Sequence, residues 1–287
     1  MVMGLLAHRM IGSHLSQTRA GTYGPSAMKT WRSQLLGTLL TSVIAAAGIA
    51  PAAPAADLPA GFVYLADIDP TIIQDLRYAG AHNFIGRPIP GYEANEVIMT
   101  EKAARALAKV QEKLAAGKLS LIIWDAYRPT RATAEFIRWT KDPRDTKMKA
   151  EFYPRIDKSQ IFELGYLSSR SAHSRGSTVD LGIAPLGAAV PRFDQAAKLT
   201  SCIGGKSERY ADGALDFGTG YDCMDEFSST LHPGIGKEAR ANRIMLRDLM
   251  VAAGFRPYRR EWWHFELIDE PFPHQSFDFP IRARKKP

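Results

Sequence analysis

The chain has 287 residues, 45% of them hydrophobic and 23% charged, which gives room for a sizeable core in one large domain or two small ones. Its formal charge of +7 falls to +3 once residues 1–56, which carry four basic and no acidic side chains, are set aside. So modest an excess makes no case for nucleic acid, and the Arg282-Ala-Arg-Lys-Lys286 tail reads as a solvated end.

From Met28 the chain runs MKTWRSQLLGTLLTSVIAAAGIAPAAPAADLP. Lys29 and Arg32 give a positive start, Leu35 to Ala50 an apolar run, and Ala53-Pro-Ala55 small residues at cleavage spacing. That order is the layout of a secretory signal peptide over residues 28–56, and it predicts export to the periplasm. A membrane anchor needs about 20 apolar residues, and this run is shorter and ends in Pro-Ala repeats, so no stable anchor is expected after cleavage. Residues 1–27 precede a second start methionine and read as a non-native upstream extension. The rest, 57–287, contains no repeat or low-complexity linker and reads as one catalytic domain.

Within it, Thr100 to Gly117 (TEKAARALAKVQEKLAAG) predicts an amphipathic helix with Thr100 as N-cap and Gly117 at the C-cap. Leu119 to Trp124 (LSLIIW) predicts a buried strand ended by Pro129, and Thr130 to Trp139 a helix. Thr178 to Ile183 predicts a strand carrying a lone acid, Asp180. Residues 201–236, rich in Gly, Asp and Ser, predict irregular structure, Ala239 to Ala253 a helix stopped by Gly254, and Tyr258 to Ile268 an aromatic strand. Helices and strands mix without a βαβ rhythm, so the fold class is α+β. The two cysteines, Cys202 and Cys223, most simply form a disulfide in an exported chain. Closing a loop of about 20 residues contributes roughly 3 kcal/mol in the chain-entropy view. A metal pair is the weaker alternative because no CxxC is present, and free buried thiols are the third.

Two clusters carry candidate chemistry. Ser171-Ala-His-Ser-Arg-Gly-Ser-Thr-Val-Asp180 holds His173 and Asp180, and Glu261-Trp-Trp-His264 holds a second carboxylate and imidazole. Three N/O ligands plus a water make a catalytic zinc site, and one further carboxylate supplies a base. Each residue alone has a plainer explanation, because a lone His is more often a hydrogen-bonded surface or core residue. An acid inside an apolar strand is different, since an unpaired buried carboxylate is costly and demands a cation or hydrogen bonds. Spacing opposes the idea, because residues three or seven apart point to opposite faces of a regular strand. Convergence requires a turn at Gly176 and a bulge, twist or helical turn between Glu261 and His264. Trp262 and Trp263 are more often core or rim aromatics than substrate platforms. Arg128, in Trp124-Asp-Ala-Tyr-Arg-Pro129, either points into a cleft as an oxyanion donor or pairs with Asp125. A metal-free route through Ser171 or Ser174 with His173 lacks a third group.

Taken together and in this order, SxHSRGSxxD, WDxYRPxRA and EWWH resemble the zinc D-alanyl-D-alanine dipeptidases of the VanX type. The resemblance extends through Asp75-Leu-Arg-Tyr78, Asn83-Phe-Ile-Gly86, Gly91-Tyr-Glu93, Met224-Asp-Glu226, Asn242-Arg243 and Asp269-Glu-Pro-Phe-Pro273, covering about residues 62–281. It implies a single α+β domain with a central, mainly antiparallel sheet flanked by helices, of the Hedgehog/DD-peptidase type. It implies one zinc ion per chain on His173, Asp180 and His264, Glu261 as catalytic base and Arg128 as oxyanion donor. Ser171, Tyr78, Tyr92 and Asp222 fall where the family holds the termini of a small dipeptide substrate, with Asp222 facing the ammonium. No oligomeric state is implied. Two features depart from the family: the segment Ile203 to Tyr221 differs, and Cys223 stands where an aromatic is expected. Activity on D-Ala-D-Ala in peptidoglycan turnover or peptide scavenging is the expected function. A D,D- or L,D-carboxypeptidase acting on longer muropeptides and a catalytically silent zinc-binding cell-wall module are the alternatives.

Overall fold

The computed structural model describes residues 58–284; the spans expected to be an upstream extension, 1–27, and a signal peptide, 28–56, lie outside the described residues. The chain enters through β1 (Phe62–Tyr64), the single turn α1 (Leu65–Ile68) and β2 (Ile73–Gln74). Next come β3 (Ile98–Thr100), α2 (Glu101–Ala115), β4 (Leu119–Asp125), α3 (Thr130–Lys141) and the short α4 (Lys149–Phe152). β5 (Thr178–Pro185), α5 (Lys237–Ala252), β6 (Phe255–Pro257) and β7 (His264–Leu267) complete it. β1 and β3 pair antiparallel, while the main sheet has the order β2-β4-β5-β7-β6, antiparallel throughout except for β2 beside β4. All described residues fall within one compact unit, so the expected single α+β domain is what forms.

Local signals account for the long elements. The Thr100 hydroxyl accepts a hydrogen bond from Ala103 N at 3.4 Å, capping α2. The buried stripe Ala103, Leu107, Val110 and Leu114 then turns one face of that helix to the core. Gly117 is not its left-handed terminator: Ala116 is the C-cap, and Lys118 takes the positive φ of 56°. The turn into β4 falls one residue later than the glycine suggests, because Gly117 N still donates to Leu114 O.

β4 and β5 are apolar without alternation because both of their faces are covered. The predicted strand over residues 258–268 does not form as one piece. Only β7 falls within it; β6 ends just before it, and residues 258–263 make consecutive turns in which Glu261 N donates to Tyr258 O and His264 N to Glu261 O. Trp262 and Trp263 leave that turn into the core, each 2% exposed. Trp262 stacks on Phe217 with ring centroids 4.1 Å apart and donates from Nε1 to Thr219 Oγ1 at 2.8 Å. Between residues 201 and 236 the chain is irregular apart from one 3₁₀ turn, Glu226–Ser228, and Cys202 and Cys223 are disulfide-bonded.

Candidate active site

Sheet register brings the site together. Asp125 at the end of β4 lies opposite Asp180 of β5, and Asp180 lies opposite His264 of β7, so the three side chains form one row across three strands. A shift in register between Ile123 and Asp125 is what aligns Asp125 with that row, and such irregularities re-aim side chains beside active sites.

His173 reaches the row from outside the sheet. It sits in a 3₁₀ turn, Ala172–Arg175, which ends at Gly176 with φ 82°. Gly176 N donates back to His173 O at 2.9 Å, and Gly176 O accepts from Thr100 N at 2.8 Å. A β-carbon here would lie 2.2 Å from Phe62 Cε1, so both the backbone conformation and the space require glycine. The strand geometry that would send His173 and Asp180 to opposite faces does not apply, because His173 is not in the strand.

The three candidate ligand groups offer atoms all within 4.8 Å of one another. His173 Nε2 lies 3.3 Å from His264 Nδ1 and 3.3 Å from Asp180 Oδ1, and His264 Nδ1 lies 2.9 Å from Asp180 Oδ1. A tetrahedral ion with bonds of about 2.0–2.1 Å needs ligand atoms about 3.3 Å apart, so this donor set fits zinc in spacing and type. His173 Nδ1 faces Ala126 O at 2.8 Å, which assigns its proton there and leaves Nε2 free to ligate. His264 presents Nε2 to Glu266 at 3.7 Å and turns Nδ1 to the cluster.

Electrostatics follow from this crowding. Burial alone would raise Asp180, which is 2% exposed, but His173 and His264 reverse that and hold it far below the usual carboxylate range. His264 is opposed by burial yet raised to about 10 by its hydrogen bond to Asp180 and the nearby Glu266 carboxylate. Glu261 is pushed up to about 8, chiefly by burial, with His264 opposing and Asp180 adding to the rise. Its carboxylate stands 3.9 Å from His264 Nδ1, beside the ligand cluster and not within it.

Arg128 realises both readings of its sequence context. Its Nε donates to Asp125 Oδ2 at 2.8 Å, while one terminal nitrogen reaches Ser171 Oγ at 3.3 Å and the other lies 3.8 Å from Asp180. Asp125 is fully buried and also accepts from the Tyr92 hydroxyl at 2.6 Å. A cleft of about 260 Å3 opens over these groups, lined by Tyr78, Arg128, Ser171, His173, Asp180, Asp222, Glu261 and His264, with Tyr258 and Glu266 at its sides. Tyr78 donates to Asp222 at 2.8 Å, and burial with the nearby Asp180 charge lifts Asp222 to about 7. Tyr92 does not line the cleft; it stands behind, holding Asp125, which in turn holds Arg128. Two residues of the site were not singled out in the sequence: Glu266 behind His264, and Tyr221, whose hydroxyl donates to Asp180 Oδ2 at 3.2 Å. Asp125 was legible as the acid of WDxYRP; Tyr221 and Glu266 carry no pattern of their own.

A buried two-histidine, one-aspartate cluster beside a desolvated glutamate and an anchored arginine, in an α+β fold, defines the class of metal-dependent hydrolases. A family model described as D-ala-D-ala dipeptidase, of the M15 peptidases, matches residues 59–191 and 208–282. The chain belongs to this family. It is 38% identical over 221 residues to the D-alanyl-D-alanine dipeptidase of Enterococcus faecalis, covering 77% of this chain and 98% of that protein. It is 37% identical over 220 residues to the protein of the same name from Streptomyces coelicolor, again covering 77% and 98%. The Escherichia coli D-alanyl-D-alanine dipeptidase is 31% identical over 221 residues, 77% of this chain and 89% of that protein. The stretch left unmatched inside the family model, residues 192–207, carries Cys202.

Proposed function

We propose that the protein hydrolyses D-Ala-D-Ala to two molecules of D-alanine, using one zinc ion held by His173 Nε2, His264 Nδ1 and Asp180. The observation that carries this reading is a single small cleft faced by a complete three-ligand set, Glu261, Arg128 and the Tyr78–Asp222 pair. Its volume, about 260 Å3, is below the roughly 300–1,000 Å3 typical of pockets for drug-sized ligands, and suits a dipeptide.

When bound, zinc supplies Lewis acidity and a nucleophilic water at neutral pH. Glu261 takes a proton from the attacking water and delivers it to the departing amine as the peptide C–N bond breaks; its desolvated carboxylate is basic enough for both tasks. Arg128, held in one orientation by Asp125, donates to the oxygen that gains charge. Asp222 and Tyr78 meet the substrate ammonium, and Ser171 beside Arg128 meets its carboxylate. Asp222 favours a free dipeptide over the acylated or longer peptides of a carboxypeptidase, and an intact Glu261 argues for a working enzyme over a silent module.

Residues 28–56 support export, which would direct the enzyme to wall-derived peptides in the periplasm, in peptidoglycan turnover or scavenging. Sequencing the N-terminus of protein recovered from the periplasm checks this. The activity is tested by D-alanine release from D-Ala-D-Ala, with L-Ala-L-Ala and N-acetyl-D-Ala-D-Ala as controls. Release should cease with a chelator and return with zinc. Equal rates on the acetylated substrate, or full activity in chelator, would overturn the reading.

A further inference from the structure

Asp222 stands in an unusual backbone state. Among the described residues only it and Lys118 are non-glycine residues with positive φ, and the value at Asp222 is 57°. L-residues hold that conformation where the surroundings impose it. Lys118 is an exposed turn residue after α2, whereas Asp222 faces the cleft.

What surrounds Asp222 is a short bridge fixed at both ends. On one side Gly220 N donates to Cys202 O at 2.9 Å, and Cys202 N donates to Glu151 O of α4 at 3.0 Å. On the other, Met224 N donates to Phe152 O at 2.8 Å, and Cys223 O accepts from the Ser228 hydroxyl at 2.6 Å. The Cys202–Cys223 bond joins the two ends immediately next to Asp222, and both sulfurs belong to buried residues. The disulfide is the covalent tie that holds residues 220–224 near α4, beside the hydrogen bonds of the flanking residues and the stacking of Tyr221 on Trp124 at 5.0 Å. One half of the tie, Cys223, lies in a block that matches the family, and the other, Cys202, lies in the internal stretch that does not.

We propose that the Cys202–Cys223 disulfide is a positioning device for the Asp222 carboxylate, setting the enzyme's affinity for the free ammonium of its substrate and leaving the fold and the chemical step unaffected. This rests on the dipeptidase reading above. The two cysteines touch no reacting atom; they act through Asp222, whose carboxylate keeps its partner, Tyr78, only while residues 220–224 hold their course.

The test is the zinc-loaded double variant Cys202→Ala/Cys223→Ala, with Cys202→Ser alone as a second form that keeps a sulfur at the buried position 223. KM for D-Ala-D-Ala should rise about tenfold, the loss expected for one misaligned charged hydrogen bond, with kcat within about twofold and zinc stoichiometry unchanged. The preference for D-Ala-D-Ala over N-acetyl-D-Ala-D-Ala should shrink by the same factor. Removing the disulfide in an Asp222→Asn background should raise KM no further, because the tie then has nothing left to position. Failure of both variants to fold, or a lower Tm with KM and amine preference unmoved, overturns the proposal in favour of a plain staple. An equal KM increment in the Asp222→Asn background also overturns it. A wild-type enzyme that does not cleave the dipeptide overturns the functional reading itself, and the inference falls with it.

Discussion

Replacing Asp222 with asparagine separates what this residue costs the fold from what it gives the site. Burial and the Asp180 charge lift its carboxyl from the ordinary 3.8 to about 7. A rise of three units corresponds to about 4 kcal/mol. Asp222 is half-buried at an open cleft, so solvent screening reduces this to about 2 kcal/mol. The folded-state pKa is raised, so the stability in question is present below about pH 4 and is lost as pH climbs through about 7. Above pH 7 the wild type carries an ionised, partly desolvated carboxylate that the Asp222→Asn variant lacks. Asparagine also tolerates the left-handed φ of 57°.

The variant should therefore unfold about 4–8 °C higher at pH 8 for a domain of this size. The two proteins should converge toward pH 4. The measurement is calorimetric, on protein freed of metal, because a divalent cation on Asp180 removes much of the repulsion; restoring zinc should shrink the gain. The same exchange should raise KM for D-Ala-D-Ala by about 10- to 100-fold, the worth of a hydrogen bond to a charged group. A Tm that falls at pH 8, or that rises by the same amount at pH 4, refutes the electrostatic argument. An unchanged KM refutes the assignment of Asp222 to the substrate ammonium.

Glu261→Gln should bind zinc with unchanged stoichiometry while kcat falls by at least about 10²-fold; turnover near the wild-type level would remove Glu261 as the base. Gly176→Ala places a β-carbon 2.2 Å from Phe62 at φ 82° and should destabilise the protein by about 2–3 kcal/mol while weakening metal retention, read by Tm and zinc content after dialysis. A variant with wild-type Tm and zinc content would show that the turn does not depend on glycine. Tyr92→Phe removes the hydroxyl that Asp125 accepts at 2.6 Å and should lower kcat a few-fold through a less ordered Arg128, with KM unchanged. A rise in KM alone would make Tyr92 a substrate contact after all.

Asp180 shows how far the sequence reaches. An acid in the apolar run TVDLGI is an energetic anomaly that only a cation or strong hydrogen bonds relieve, and that inference needs no coordinates. The motifs around it, WDAYRP, SAHSRGS and EWWH, identify the residues that converge and the family to which the chain belongs. α2, α3, α5, β4 and β5 are likewise legible, because capping residues, period and β-branched runs are local properties.

The way the residues converge is not local. Spacing placed His173 and Asp180 on opposite faces, and the contradiction disappears only because His173 belongs to a turn that Gly176 closes before β5 begins. The predicted strand over 258–268 shrinks to β7, its first residues becoming turns, since burying Trp262 and Trp263 against Phe217 and Tyr221 outweighs a continuous ladder. Tyr92 belongs to the family motif but is turned away from the cleft onto Asp125. By itself, then, the sequence determined which side chains are the candidates for the chemistry, since their types and the cost of burying them are written in the chain. Only the tertiary structure decided how they face one another, because cross-strand register, a bulge and a disulfide-tied loop join residues far apart in the chain, as Tyr78 and Asp222 are at 144 positions.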